Sequence, residues 1–312
     1  MHKSALYYGS KFFDIYCNSR VGIKIVDIGA QDVNGSLRDV CPDGIEYIGV
    51  DFCAGKGVDV LLDDPYTLPF EDVSVDVIVC SSVFEHSEFF WIIFLEMMRI
   101  LKPEGLLYLN VPSNGYIHRY PVDCWRFYPD SGKALVAWGE RNSYTPSLLE
   151  SFVAGKFDKN VDEGLWNDFI AVILKDKNVE FENPNRIIHI IDCYANGYCD
   201  DIKTDPKDNF HTEDFLIIHE QNDAIAEINT KLLEQNTQLS DRRGELAERD
   251  SQLAERDGQL AERDDQLVKR DDQLAKRDDQ LAERDGELAE RDGELAERDG
   301  ELAERDGELA ER

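Results

Sequence analysis

Short apolar runs alternate with polar punctuation along the first half of the chain. Ile23-Lys24-Ile25-Val26 leads into Asp27-Ile28-Gly29, and Tyr47-Ile48-Gly49-Val50 ends on Asp51. Gly57–Leu62 is a third run, closing on Asp63-Asp64, and Val75–Cys80 is the most strand-like of all, dense in β-branched residues and stopped at Ser81-Ser82. Phe89–Leu101 has helical length and apolar content, and Lys102-Pro103-Glu104-Gly105 ends it. Leu106–Val111 and Trp166–Lys175 read as further strands, with Ser147–Val153 a hairpin partner for the last. Mixed aromatic spacing over residues 4–18 predicts a helix lying across the sheet, and shorter helices are expected at Leu37–Val40 and after Pro129-Asp130-Ser131. Strands alternating with helices predict an α/β, Rossmann-like, doubly wound sheet with helices on both faces.

The pattern then changes twice. Polar and turn-forming residues dominate from Glu180 to Phe210, which reads as a linker of limited order. From Ile225 through Leu232, Leu239 and Leu246 to Leu309, an apolar residue recurs every seventh position, and from Gly244 the unit approaches a perfect GELAERD repeat. Sustained heptads predict a long C-terminal helix or coiled coil. With Leu at the first core position, the second is Arg249, Arg256, Arg263 and their successors, whose stems can cover apolar surface. Each glycine in the repeat costs about 1 kcal/mol of helix propensity relative to alanine. A single charged helix and a homo-oligomer through the heptads both stay open. The expected organisation is a domain at 1–183, a linker at 184–215 and the heptad helix at 216–312.

Charge narrows the partners. The formal net charge is −31, and residues 241–312 hold 14 basic and 26 acidic residues, or −12 of it. Nucleic acid and anionic membrane surfaces are disfavoured by that sign. No run is apolar enough to span a bilayer, and the start, MHKSALYYGSKFF, lacks a signal-peptide core. The seven cysteines show no CxxC spacing, so they read as free thiols of a cytoplasmic protein, with no metal site expected.

Ligands of such sheets lie beyond the strand C-termini. Those ends carry Gly29, Asp51, Asp63, Asp64, Ser81 and Ser82. Gly29 permits a sharp turn and close approach of the backbone, and an acid ending the second strand can accept ribose hydroxyl protons. A nucleotide site follows. His118–Ala137 differs in kind, packing His, two Arg, Asp, Trp, Phe and two Tyr around two prolines.

With these residues in place, 20–175 resembles the class I S-adenosylmethionine-dependent methyltransferases of the bacterial type 11 group. VDIGA is similar to their first motif, YIGVD to the second, DDPYTLPFEDVSVDVIVCSSVFEH to the third and fourth, and LKPEGLLYLNVPS to the strand that follows. The resemblance implies S-adenosyl-L-methionine as cofactor. Gly29 and Ala30 would face its methionine part, Asp51 the ribose, Asp63 or Asp64 the adenine amino group, and Ser81 and Ser82 the sulfonium, with Asp27, Gln31 and Phe52 in the same site. The first motif departs from GxGxG spacing, because Gln31 and Asp32 follow Gly29-Ala30 and the next glycine is Gly35. HRYPVDCWRFYPD is similar to the HxxPxDxxRF loop of methyltransferases acting on cell-surface glycans and small acceptors, a loop that lies over the transfer site.

Methyl transfer demands in-line alignment and, for a hydroxyl acceptor, removal of a proton. His118 and His86 are the candidate bases, Asp123 orients a histidine or takes the proton, and Arg126, with Arg119, binds an acidic group on the acceptor. The expected activity is O-methylation of a glycan or small molecule. Two other functions fit parts of the pattern: a non-catalytic methyltransferase fold whose helical tail mediates assembly, and a nicotinamide-dependent sugar oxidoreductase. The second lacks GxGxxG, and its only YxxxK, Tyr7 to Lys11, precedes the first strand.

Overall fold

The computed structural model describes residues 2–18, 20–155, 166–200, 202–204 and 211–310. Its helices are α1 (Lys3–Tyr16), α2 (Phe90–Ile100), α3 (Ser131–Arg141) and α4 (Glu213–Ala310). Its strands are β1 (Lys24–Ile28), β2 (Glu46–Asp51), β3 (Val60–Leu61), β4 (Val75–Ser81), β5 (Leu101–Pro112), β6 (Ser147–Ala154), β7 (Asp168–Leu174), β8 (Tyr194–Cys199) and β9 (Ile202–Lys203). All nine form one sheet in the order β3-β2-β1-β4-β5-β7-β6-β8-β9. From β3 to β5 neighbours are parallel, and from β5 to β9 they are antiparallel.

Side-chain alternation divides each strand between two cores. Val26, Ile28, Ile78, Cys80, Leu107, Leu109, Phe169 and Ala171 pack on one face with Phe94, Met97 and Met98 of α2 and Leu135 of α3. Ile25, Val77, Val79, Tyr108, Ile170 and Val172 pack on the other with Tyr8, Phe12, Phe13 and Tyr16 of α1. Every residue of β4 and β7 is buried, as strands covered on both sides must be. The doubly wound expectation holds, and the short helix at Leu37–Val40 is a 3-10 turn.

Two expectations are corrected. Lys102–Gly105 does not separate a helix from a later strand. Leu101 already pairs with Val75, and an irregularity before Leu106 lets the chain loop out while β5 continues. The linker reading of 184–215 also fails for its described residues. A 3-10 turn at Ile187–His189, then β8 and β9, complete the sheet, and Ile187 and Ile188 are core residues. The physical reason is Glu150 of β6. Fully buried, it accepts the Tyr16 hydroxyl at 2.6 Å and the Ile187 and Ile188 N–H groups at 2.8 and 2.9 Å. A buried carboxylate needs such donors, and residues past 184 supply two of them.

The chain divides into compact units at Met1–Asp223 and Ala224–Arg312. The second consists of α4 beyond Asp223, a helix whose Leu246, Leu253, Leu260 and following leucines are more than half exposed. No helix among the described residues is long and apolar enough to cross a membrane.

Candidate functional site

The parallel strands end on one edge of the sheet, and the sequence places its acids there. After β1, Gly29 has φ +80° and donates its N–H to the Val50 carbonyl at 2.9 Å. A Cβ on Gly29 would meet Val83 Cγ2 at 2.2 Å, so only glycine carries the turn. The missing later glycines are replaced by side-chain anchors. Asp32 accepts the Gly35 N–H at 2.7 Å and pairs with Lys56, while the Asp32 N–H donates to the Lys56 carbonyl at 2.8 Å. Gln31 Nε2 donates to the Ala54 carbonyl at 3.3 Å. The bulky loop is thus fixed against the segment after β2.

Asp51, at the end of β2, is 8 % exposed. Its Oδ2 accepts the Gln31 N–H at 3.2 Å and its Oδ1 the Cys53 N–H at 2.9 Å. Each carboxylate oxygen can take more than one donor, so both retain capacity for a diol. Phe52 beside it is half exposed, an apolar face at the same strand end. Asp63 and Asp64 separate in role. Asp64 accepts the Tyr66 N–H at 3.0 Å and the Thr67 hydroxyl at 2.8 Å, bonds that hold its carboxyl below the usual range. Asp63 is exposed and has no hydrogen-bond partner among the described residues. Asp27 is buried and accepts the Tyr47 hydroxyl at 2.7 Å, and burial pushes its pKa up to about 7. It braces β1 against β2 and has only its remaining capacity to offer a ligand. Ser81 is buried with an unpartnered hydroxyl, and Ser82 adopts φ +57°.

Beyond β4 and β5 the second group assembles. Glu85 and His86 follow β4 in a 3-10 turn, and His118 arrives from the loop after β5. The His86 and His118 rings lie edge to face with centroids 4.8 Å apart. His86 Nδ1 is 2.5 Å from the Val122 carbonyl, so this nitrogen carries the proton and Nε2 is the free lone pair. Burial lowers the His86 pKa. His118 donates its backbone N–H to Asp123 Oδ2 at 2.7 Å, and its Nδ1 is 3.4 Å from the same oxygen. Asp123 is held bidentately by Arg126, with Nη1 at 2.5 Å and Nη2 at 2.9 Å, and this guanidinium depresses the carboxyl pKa to about 2. Arg126 also donates to the Tyr116 and Trp125 carbonyls.

Those bonds redistribute the expected roles. Asp123 is tied to the His118 backbone N–H and to Arg126, and an acid this strongly held is a poor proton acceptor. The Nη groups of Arg126 are spent on the loop, whereas Arg119 is exposed. Trp125 donates to the Ser87 carbonyl at 2.9 Å and packs with Phe90 and Trp91, while Phe127 is buried.

Four residues, Glu85, Trp166, Asn114 and Asn167, are not among the expected site residues. Glu85 is 1 % exposed, its Oε2 has no partner, and burial raises its pKa to about 8. Trp166 stands edge-on to His118 at 4.8 Å and packs on Tyr116. Asn114 and Asn167 exchange hydrogen bonds at 2.7 and 2.6 Å and reach Asp214 and Glu213 in the first turn of α4. Glu85 was legible as His86's neighbour; the others depend on long-range contacts.

Residues 32–109 match the methyltransferase domain family, beginning just after the Gly29-Ala30 turn. No curated protein matches the sequence of the chain. Among solved structures it is similar to the 1,6-didemethyltoxoflavin N1-methyltransferase of Burkholderia thailandensis, at 12 % identity and TM-score 0.42, over 55 % of this chain and 79 % of that one. It is also similar to YcgJ of Bacillus subtilis, at 15 % identity and TM-score 0.40, over 56 % and 100 % of the two chains. The strand ends fit a nucleotide-type cofactor on their own geometry. Asp51 keeps acceptor capacity, Gly29 admits close approach, and the Ser81 hydroxyl is buried without a partner.

Proposed function

We propose that the methyltransferase domain methylates a hydroxyl group of a glycan or small-molecule acceptor held against His86 and His118. The observation that carries this reading is the meeting of two separate segments, Glu85-His86 after β4 and His118–Arg126 after β5, beside the strand ends that bear Asp51 and Ser81. Bound S-adenosylmethionine supplies an electrophilic methyl group on sulfur. The chain's own work is binding and proton handling. Asp51 accepts hydrogen bonds from the ribose, and Asp63, free where Asp64 is occupied, accepts from the adenine amino group. Gly29 and Ala30 let backbone approach the methionine part, and Ser81 and Ser82 border the sulfonium.

On the acceptor side, His86 Nε2 is a lone pair oriented by the Val122 carbonyl, and the His118 backbone is tied to Asp123, which Arg126 holds rigid. A hydroxyl lodged between the imidazoles loses its proton there as the oxygen attacks. Alignment of this kind supplies much of the rate in bimolecular transfer. Trp125, Trp166 and Tyr116 wall the loop with aromatic surface suited to the apolar face of a sugar or a flat ring. The test is incubation of the full chain with methyl-labelled S-adenosylmethionine and pools of hydroxylated glycans and metabolites, followed by mass spectrometry. Label on an acceptor oxygen is expected. Label only on nitrogen, carbon or sulfur would overturn the assignment of hydroxyl chemistry.

A further inference from the structure

We propose that Glu85, His86 and His118 bind one divalent first-row transition-metal ion, zinc or a close relative, at the acceptor end of this site. The inference deepens the proposed function, since the ion's open position faces the place assigned to the acceptor. One ligand atom from each of the three residues lies within 4.8 Å of the others, and among the described residues no other group of this kind occurs. Glu85 Oε1 is 3.7 Å from His86 Nε2.

Three features mark a built site beyond mere proximity. First, Glu85 is 1 % exposed and its Oε2 has no partner. A buried carboxylate without donors is costly, and the nearby guanidinium of Arg126 is committed to Asp123 on both of its Nη groups. A cation among the imidazoles supplies the missing partner. Second, His86 carries the outer contact of a metal-ligating imidazole. Its Nδ1 is fixed on the Val122 carbonyl, which leaves Nε2 as the ligand atom, and with the ion bound this nitrogen holds the acceptor through the metal instead of taking its proton. His118 Nδ1 is buried without a hydrogen-bond partner, 3.4 Å from Asp123, so the ring is not committed elsewhere. Third, the scaffold holds the two segments together, because Cys124 N–H donates to the Glu85 carbonyl at 2.7 Å and Trp125 to the Ser87 carbonyl.

The donor set chooses the ion class. Calcium and magnesium take oxygen ligands almost throughout, whereas two imidazoles and one carboxylate suit zinc, cobalt or ferrous iron. Three protein ligands leave an open position, as in metal sites that engage a substrate. An acceptor oxygen is the natural fourth ligand. The absence of CxxC spacing hid the site in the sequence, because its ligands are an adjacent Glu-His pair and a histidine from another loop.

The probe is cobalt(II), whose visible absorption reports coordination directly. Chelator-treated full-length protein is titrated with cobalt, and S-adenosylhomocysteine binding is measured by calorimetry on the same samples. One cobalt per chain with visible bands is expected, displaced by zinc. Glu85→Gln and His118→Ala should each weaken cobalt binding at least tenfold while leaving S-adenosylhomocysteine affinity unchanged, which also verifies folding. His189→Ala, which removes the imidazole 3.9 Å from Cys199, should leave cobalt binding as in wild type. Equal binding by wild type and both variants, or no cobalt uptake by wild type, overturns the site. Cobalt binding without S-adenosylhomocysteine binding would keep the metal site and overturn the proposed function; the reverse result would overturn the metal site alone.

Discussion

Arg126 grips Asp123 through both Nη atoms, at 2.5 and 2.9 Å, and Asp123 in turn accepts the His118 N–H at 2.7 Å. The pair sits three residues apart in the acceptor loop, with the Asp123 side chain only 2 % exposed. A shielded, bidentate pair is worth more than a surface contact. Its depressed carboxyl pKa, about 2, makes it a stability element with a defined sign. The unfolded chain holds its proton more tightly, so the stabilisation is complete above about pH 4 and is lost as pH falls through 2. Asp123→Asn should cost about 2 kcal/mol near neutrality, with the gap to wild type closing on acidification. Thermal melts of both proteins from pH 7 downward check this, and a gap independent of pH would contradict it. Arg126→Ala should likewise lower Tm, in contrast to a variant that only raises KM.

Asp27 has the opposite sign. Burial raises its pKa to about 7, so the folded chain keeps a proton that the unfolded chain releases near pH 4. Its contribution is fullest below about pH 4 and declines as pH rises through 7. Asp27→Asn, which keeps an oxygen for the Tyr47 hydroxyl, should gain stability over wild type at pH 8, with the gain fading towards pH 4. Cofactor affinity should stay within a few-fold. A large loss of S-adenosylhomocysteine affinity would make Asp27 a direct ligand.

The edge strands determine where the domain can be cut. A chain ending at Asn183 lacks the Ile187 and Ile188 N–H donors to Glu150 and leaves β6 as a bare edge. It should aggregate or fail to fold. A chain ending at Asp223 keeps β8, β9 and the contacts of Glu213 and Asp214 with Asn167 and Asn114, and should bind S-adenosylhomocysteine like the full chain. Circular dichroism and calorimetry on the two truncations decide it; normal binding by the shorter one would show that Glu150 finds other donors.

The difference between the two truncations shows what the sequence made legible. Strands β1, β2, β4, β5 and β7 announce themselves through short apolar runs stopped by polar residues, β4 and β7 being buried along their whole length, and the heptads announce α4. Strand β8, Tyr194-Ala195-Asn196-Gly197-Tyr198-Cys199, carries polar and turn-forming residues and exists because β6 offers it an edge. Such a strand is made by its neighbour and not by its own pattern. In the site, Asp51 and Gly29 follow from their places after apolar runs. The difference between the bonded Asp64 and Asp63 lies in the Tyr66 and Thr67 bonds, and the burial of Glu85 and the Trp166–His118 contact join residues far apart in the chain.

His118 is the acceptor-side residue whose loss should separate chemistry from cofactor binding. His118→Ala should lower kcat by about 10²–10⁴ with S-adenosylhomocysteine affinity unchanged. Steady-state turnover on the acceptor identified by label transfer, with calorimetry on the same protein, checks both halves. Full turnover would leave His86 as the group that handles the proton.

Binding of S-adenosylmethionine at these strand ends through Asp51 is tested most directly by calorimetry with S-adenosylhomocysteine. Wild type should bind one equivalent per chain, and Asp51→Ala, folded to the same circular dichroism spectrum, should lose about 1.5–3 kcal/mol of affinity as charged hydrogen bonds to the ribose disappear. No binding by the folded wild-type chain, or equal affinity in the variant, would contradict the claim.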